Sequence, residues 1–212
     1  MRKALEVGGY VAAAVLIAFG IAAIYMGVSG RATVSDSIKN EKIVGSADMT
    51  PAGITAEAKA AGLTNVTIPS CSVANKAIAS GTDARCFAEY MRIHALEASG
   101  GLTYSQMPRY ATADGKGTND AAAAQKGANG QPMDNAARNI WVTETALSTA
   151  LNTSYLATQI ALFGIVVGIA LLLTGVGFLI LTLGGALRNK DSVILKSKET
   201  EEKAATTTPV SA

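Results

Sequence analysis

Residues 160–187 read IALFGIVVGIALLLTGVGFLILTLGGAL, and residues 7–28 read VGGYVAAAVLIAFGIAAIYMGV. These two stretches decide the fold. No charged residue lies between Glu6 and Arg31, or between Glu144 and Arg188. At 1.5 Å per residue they make helices of about 42 Å and about 33 Å, against a hydrocarbon core of roughly 30 Å. The shorter stretch matches a bilayer, with Tyr10 and Tyr25 near its ends, where amphipathic rings favour the interface. The longer one must tilt or protrude. A secretory signal is the rival reading of residues 7–28. Arg2 and Lys3 supply a basic start, and Gly30-Arg31-Ala32 weakly resembles a cleavage site. Signal h-regions run about 7–15 residues, so the length favours an uncleaved anchor.

The composition agrees with packed membrane helices. Hydrophobic residues make up 49% of the chain but aromatic residues only 5%, so the apolar weight is aliphatic and small. Between Arg31 and Tyr155 there are 11 basic and 11 acidic residues, with no basic stripe, which speaks against nucleic-acid binding. Arg2 and Lys3 precede the first span, whereas Arg188, Lys190, Lys196 and Lys198 follow the second. By the positive-inside rule both termini are cytoplasmic and the long loop is outside. Cys71 and Cys86, the two cysteines, both fall in that loop, where an oxidising compartment favours a disulfide. C-x14-C lacks the close spacing of redox and metal pairs, so a structural bridge is the expected role.

Within the loop, Thr50-Pro51 is a helix start and Gly62 a helix end, giving a helix over about 51–61. Residues 65–69, NVTIP, read as extended, and residues 72–79 as helical. Gly81-Thr82-Asp83 opens a helix over 83–99 that Gly100-Gly101 stops. The first span is expected to continue past the bilayer with a break near residues 27–30. Residues 136–187 contain no interruption before the second span and predict one long helix. The expected order is a cytoplasmic N-terminus (1–6), a transmembrane helix (7–28) and an extracytoplasmic helical domain (29–155) with a mobile loop at 111–135. A second transmembrane helix (156–187) and a disordered cytoplasmic tail (188–212) follow.

Small residues recur at seven-residue spacing: Ala13, Gly20 and Gly27 in the first span, and Gly168 and Gly175 in the second, where Gly164 also forms a GxxxG with Gly168. Such faces let helix backbones approach closely in lipid, either within the chain or with a partner. Neither span interior holds Asp, Glu, Lys, Arg or His, which argues against a pump or secondary transporter. His94 is the one histidine; with Glu97 it makes H-x-x-E, with Glu89 and Tyr90 nearby. Metal centres need more ligands than that, so no metal ligand, cofactor site or catalytic residue is assigned. Tyr90, His94, Tyr104 and Trp141 are the candidates for a small ligand groove, against the alternative that they are domain core.

The stretches IVGSADMTP (43–51), ARCFAEYMRIHALEASGGLTYSQM (84–107) and NIWVTETALSTALNTSY (139–155) resemble an uncharacterised family of actinobacterial two-pass membrane proteins. The resemblance implies location and architecture and carries no activity. The fold class expected is an all-α membrane protein of a bacterial inner membrane. Two antiparallel transmembrane helices extend into a stalk with a small disulfide-linked helical extracytoplasmic cap. The function expected is that of a non-enzymatic structural or accessory protein. It would contact membrane lipids and associate with other membrane proteins or with itself. An extracytoplasmic small-ligand binding or sensing module is the alternative.

Overall fold

The computed structural model describes residues 2–184; the tail expected at 188–212 and its lysines lie outside the described residues. Four helices carry the fold: α1 (Arg2–Asn40), α2 (Pro51–Ala60), α3 (Gly81–Ala98) and α4 (Ala137–Leu183). Among the described residues there is no β-strand, only isolated bridges. The chain divides into two units. One comprises residues 2–28 and 162–184 of the described chain, the other Ser29–Ala161.

In the first unit, α1 and α4 are long and apolar enough to cross a membrane. Only 17% and 11% of their most apolar windows are buried, whereas a soluble core helix would be mostly buried. The buried positions are the small ones: Gly9, Ala13, Gly20 and Gly27 on α1, and Gly168, Gly175 and Thr182 on α4. A Cβ added at Gly20 would stand 2.8 Å from the Gly168 carbonyl oxygen and 2.8 Å from the Leu172 nitrogen. One added at Gly168 would meet the Gly20 oxygen at 2.8 Å and the Ile24 nitrogen at 2.9 Å. One added at Gly175 would stand 3.0 Å from the Ile17 nitrogen and 3.1 Å from the Ala13 oxygen. Gly164, the other half of the GxxxG, is looser: a Cβ there would stand 3.8 Å from the Ala23 oxygen. The backbones touch where side chains are missing, which maximises dispersion contact in a medium that offers no hydrophobic drive. Phe19, Tyr25, Phe163 and Leu173 point outward.

The second unit has an ordinary buried core. Ile38 of α1, Ile54 and Ala58 of α2, Phe87, Tyr90 and Ile93 of α3 and Leu151 of α4 meet there, with Met49, Val73 and Ile78 from the connections. Thr50 caps α2 by accepting a hydrogen bond from the Gly53 amide at 2.9 Å, and Pro51 supplies a fixed φ at the first helical position. Ser80 caps α3 by accepting from the Asp83 amide at 3.1 Å and donates to the Asp83 carboxylate at 2.8 Å. A disulfide joins Cys71 to Cys86. A Cβ at Gly81 would run into the Thr158 side chain and stand 3.0 Å from the Ser154 oxygen, so this residue lets α3 start against α4.

Three expectations differ from the structure. Residues 72–79 are not helical. Asn75 has φ 55°, outside the helical region, and the segment pairs with residues 43–45 instead: Gly45 donates to Lys76 at 3.0 Å, Asn75 to Gly45 at 2.9 Å and Ile78 to Ile43 at 2.9 Å. There is no break at residues 27–30, because Gly27 is a buried packing position and α1 runs on unbroken to Asn40. Gly81-Thr82-Asp83 is not the cap of α3 but its first turn: the helix starts at Gly81 and Ser80 caps it. Residues 111–135 form hydrogen-bonded turns: Ala111 donates to Met133 at 2.8 Å and Met133 to Gln125 at 2.8 Å. Gly115, Gly117 and Gly130 sit at φ 75°.

Candidate functional site

The four ring side chains selected from sequence all lie in the second unit, but they do not share one groove. Tyr90 is at the centre of the core with no exposure, and its hydroxyl donates to the Cys71 carbonyl at 2.6 Å. Burial, and to a lesser extent the Glu89 charge, raises its phenol above the usual range. Trp141 is buried in a smaller cluster with Ala95 and Met107. Its indole N–H reaches the Leu102 carbonyl at 2.8 Å and the Ser99 hydroxyl at 3.1 Å, and the Arg92 guanidinium lies 5.2 Å over its ring. Tyr104 is half exposed with the Arg138 guanidinium 4.1 Å over it. Tyr104 and Trp141 do meet, and with Val142, Ala146 and Thr149 they line an open groove of about 550 Å³. A second cleft, about 680 Å³, lies between residues 65–70 and the Glu89, Arg92 and Ile93 side of α3.

His94 belongs to a different place. It stands one helical turn after Tyr90 on α3, and its Nε2 is 2.7 Å from Asp48 Oδ2 and 3.7 Å from Glu57 Oε2. Asp48 comes from the connection just before α2, and Glu57 from α2 itself, beside the buried Ala58. One ligand atom from each of the three residues lies within 4.8 Å of the others. Nε2 is out of reach of solvent and pairs with Asp48 across 2.7 Å, with its N–H poorly aligned for a hydrogen bond.

The two carboxylates are set apart electrically. A hydrogen bond from the Ser46 side chain holds Asp48 below the usual carboxylate range; burial opposes this, and a backbone hydrogen bond and His94 assist it. Partial burial raises Glu57, the Asp48 and Glu97 charges add to the rise, and His94 counters it. Asp48 is therefore the firmly charged member and Glu57 the first of the two to take a proton.

Helical spacing pairs His94 with Glu97 and says nothing of Asp48 and Glu57, which reach His94 only through the docking of α2 on α3. One indirect signal exists in the sequence. Both acids flank the apolar positions Met49 and Ala58, so they fall at the margin of the buried face.

Comparison with protein-family models, with curated proteins and with solved structures finds no match. A functional reading of this chain rests on its residues and their geometry.

Proposed function

We propose that the chain is a non-enzymatic integral membrane accessory protein of a bacterial inner membrane, associating with partner membrane proteins or with itself. The observation that carries this reading is the groove at Tyr104, Trp141 and Val142. Val142 is 56% exposed and Tyr104 46%, and both flank the buried Trp141 along that groove. Aromatic anchors and arginine dominate binding energy at protein interfaces, and Arg138 is stacked on Tyr104. The small-residue faces are not part of this surface. Gly20, Gly168 and Gly175 already pack against backbone within the chain, so a partner in the membrane would meet the outward aliphatic and aromatic side chains.

In this reading α1 and α4 form an antiparallel transmembrane hairpin with cytoplasmic ends, and the helical unit around Cys71–Cys86 is the extracytoplasmic cap. The opposed order of contacts supports the hairpin: Ile24 and Gly20 meet Gly168, while Ile17 and Ala13 meet Gly175. The disulfide supports the outside location, because oxidising compartments preserve such bonds. The test is cross-linking in native membranes followed by mild solubilisation and measurement of complex mass. A complex that is lost in Val142→Glu or Tyr104→Ala supports the reading; recovery of the wild type only as a monomer overturns it.

The second reading is an extracytoplasmic small-ligand binding or sensing module, favoured by the cleft beside residues 65–70. Its volume of about 680 Å³ suits a small organic molecule. A compound bound by the monomer and released by Arg92→Ala would replace the accessory role with this one.

A further inference from the structure

We propose that Asp48, Glu57 and His94 form a binding site for a divalent cation of the zinc class. This goes beyond the accessory reading and does not depend on it.

The donor set comes first. One imidazole and two carboxylates supply three ligands, and water can complete a tetrahedral shell, the usual arrangement for an open zinc site. Calcium and magnesium prefer all-oxygen shells, so the imidazole selects for the later first-row cations. Geometry comes second. Ligands about 2.1 Å from one ion stand about 3.4 Å apart in a tetrahedral shell. The present separations run from 2.7 Å between His94 and Asp48 up to 4.8 Å at most, so rotation of the side chains brings them into range. Glu57, the most exposed of the three at 38%, is free to make that rotation, while His94 and Asp48 are about a quarter exposed.

The state of His94 Nε2 is the third and independent observation. This atom is shielded from water and stands 2.7 Å from an Asp48 carboxylate oxygen, poorly aligned for a hydrogen bond with it. A buried polar atom whose hydrogen bond is badly aligned has unused capacity for a further partner. In the neutral tautomer protonated on Nδ1, Nε2 would offer a lone pair close to the Asp48 and Glu57 carboxylates. A cation there satisfies all three donors at once. With the imidazole neutral, the Asp48 and Glu97 carboxylates near Glu57 leave a negative local field, which attracts a cation.

The frame is also fixed before any ion binds. Met49, next to Asp48, is buried, and its carbonyl accepts from the Val73 amide and the Ser72 hydroxyl, each at 3.2 Å. Thr50 caps α2, and the disulfide ties α3 to Cys71. Ligands held in place lose little entropy on binding.

The experiment uses the full chain, purified in mild detergent without a histidine tag and stripped with chelator. Zinc chloride is titrated against a chromogenic indicator, with manganese, magnesium and calcium chloride in parallel, and melting is followed with and without zinc. One equivalent of zinc is expected per chain, bound more tightly than the other three ions and raising the melting temperature. His94→Gln and Glu57→Gln should each weaken zinc by about thirtyfold or more and abolish the rise. Glu57→Gln keeps the size of a partly exposed side chain, so it tests the site even if the histidine variant misfolds. Absence of saturable zinc binding at about 100 µM, the weak end of useful affinity, overturns the proposal. So does binding untouched by both variants, or a preference for calcium or magnesium. A chain found only as a monomer overturns the accessory reading and leaves this result standing.

Discussion

The two units of this chain are built by opposite means. In residues 2–28 and 162–184 the close contacts are made by what is absent: glycine and alanine positions where one backbone rests on another. In residues 29–161 they are made by what is present: Tyr90, Ile54, Val73 and Ile78 are each buried to within 2% of completely, with caps and a disulfide around them. The difference follows from the surroundings each sequence is suited to. Apolar side chains gain little by leaving lipid for another apolar surface, so helices there associate through close approach. In water, burying a large ring is the main source of stability.

The sharpest way to break this comparison is Tyr90→Ala. It removes the central ring of the second unit and leaves the Cys71 carbonyl without its donor, an expected loss of about 4 kcal/mol. Amide exchange in detergent should show lost protection across residues 29–161 and little change elsewhere. Equal loss in both units would show that they unfold as one. Next is removal of the Cys71–Cys86 bridge by serine at both positions. A closed loop of this size contributes about 3 kcal/mol in the chain-entropy account, again confined to the second unit.

The first unit should respond to the reverse change, an addition. Gly168→Leu puts atoms where the Gly20 carbonyl stands, and backbone cannot yield as a flexible side chain can. Overpacking of this kind costs about 2 kcal/mol, readable as earlier loss of structure in a detergent-denaturation titration. Gly177→Leu is the control on the same helix, because a Cβ there meets nothing within 4 Å. If the two variants behave alike, close backbone approach is not what holds this unit.

The smallest effect expected is the acid response of the α3 cap. Burial pushes the Asp83 carboxyl up, but hydrogen bonds from Lys76 and Ser80, with the Lys76 charge, outweigh it and hold the group below its ordinary value of 3.8. Its folded-state pKa therefore lies below its unfolded one. The stabilisation is complete above the unfolded value and fades as pH falls through the lowered folded value. Asp83→Asn should cost no more than about 1 kcal/mol near neutral pH, and should flatten the part of the acid melting curve below pH 4.

The helices were legible because their signals are local. Thr50-Pro51 marks the start of α2, and Gly62 and Gly100 lie just past α2 and α3 at positive φ. Residues 72–79 were not legible. Val73, Ala77 and Ile78 have the look of a short helical face, and what overrides it is their pairing with residues 43–45, distant in sequence. The groove residues divide in the same way. That Tyr90 and Trp141 are apolar enough for a core is visible in the chain, but which of them lines a surface is a matter of tertiary neighbours.

By itself the sequence determined the two long apolar helices, the position of the connecting domain, and the cysteines available for a bridge. Each depends on composition over a continuous stretch, and an uncharged run of that length behaves as a helix whatever it packs against. Only the tertiary structure decided that Gly20 and Gly168 are used on each other, that Tyr90 is core and Tyr104 surface, and that Asp48 and Glu57 stand around His94. Those outcomes depend on how helices dock, and docking is set by the sum of many weak contacts between residues far apart in the chain.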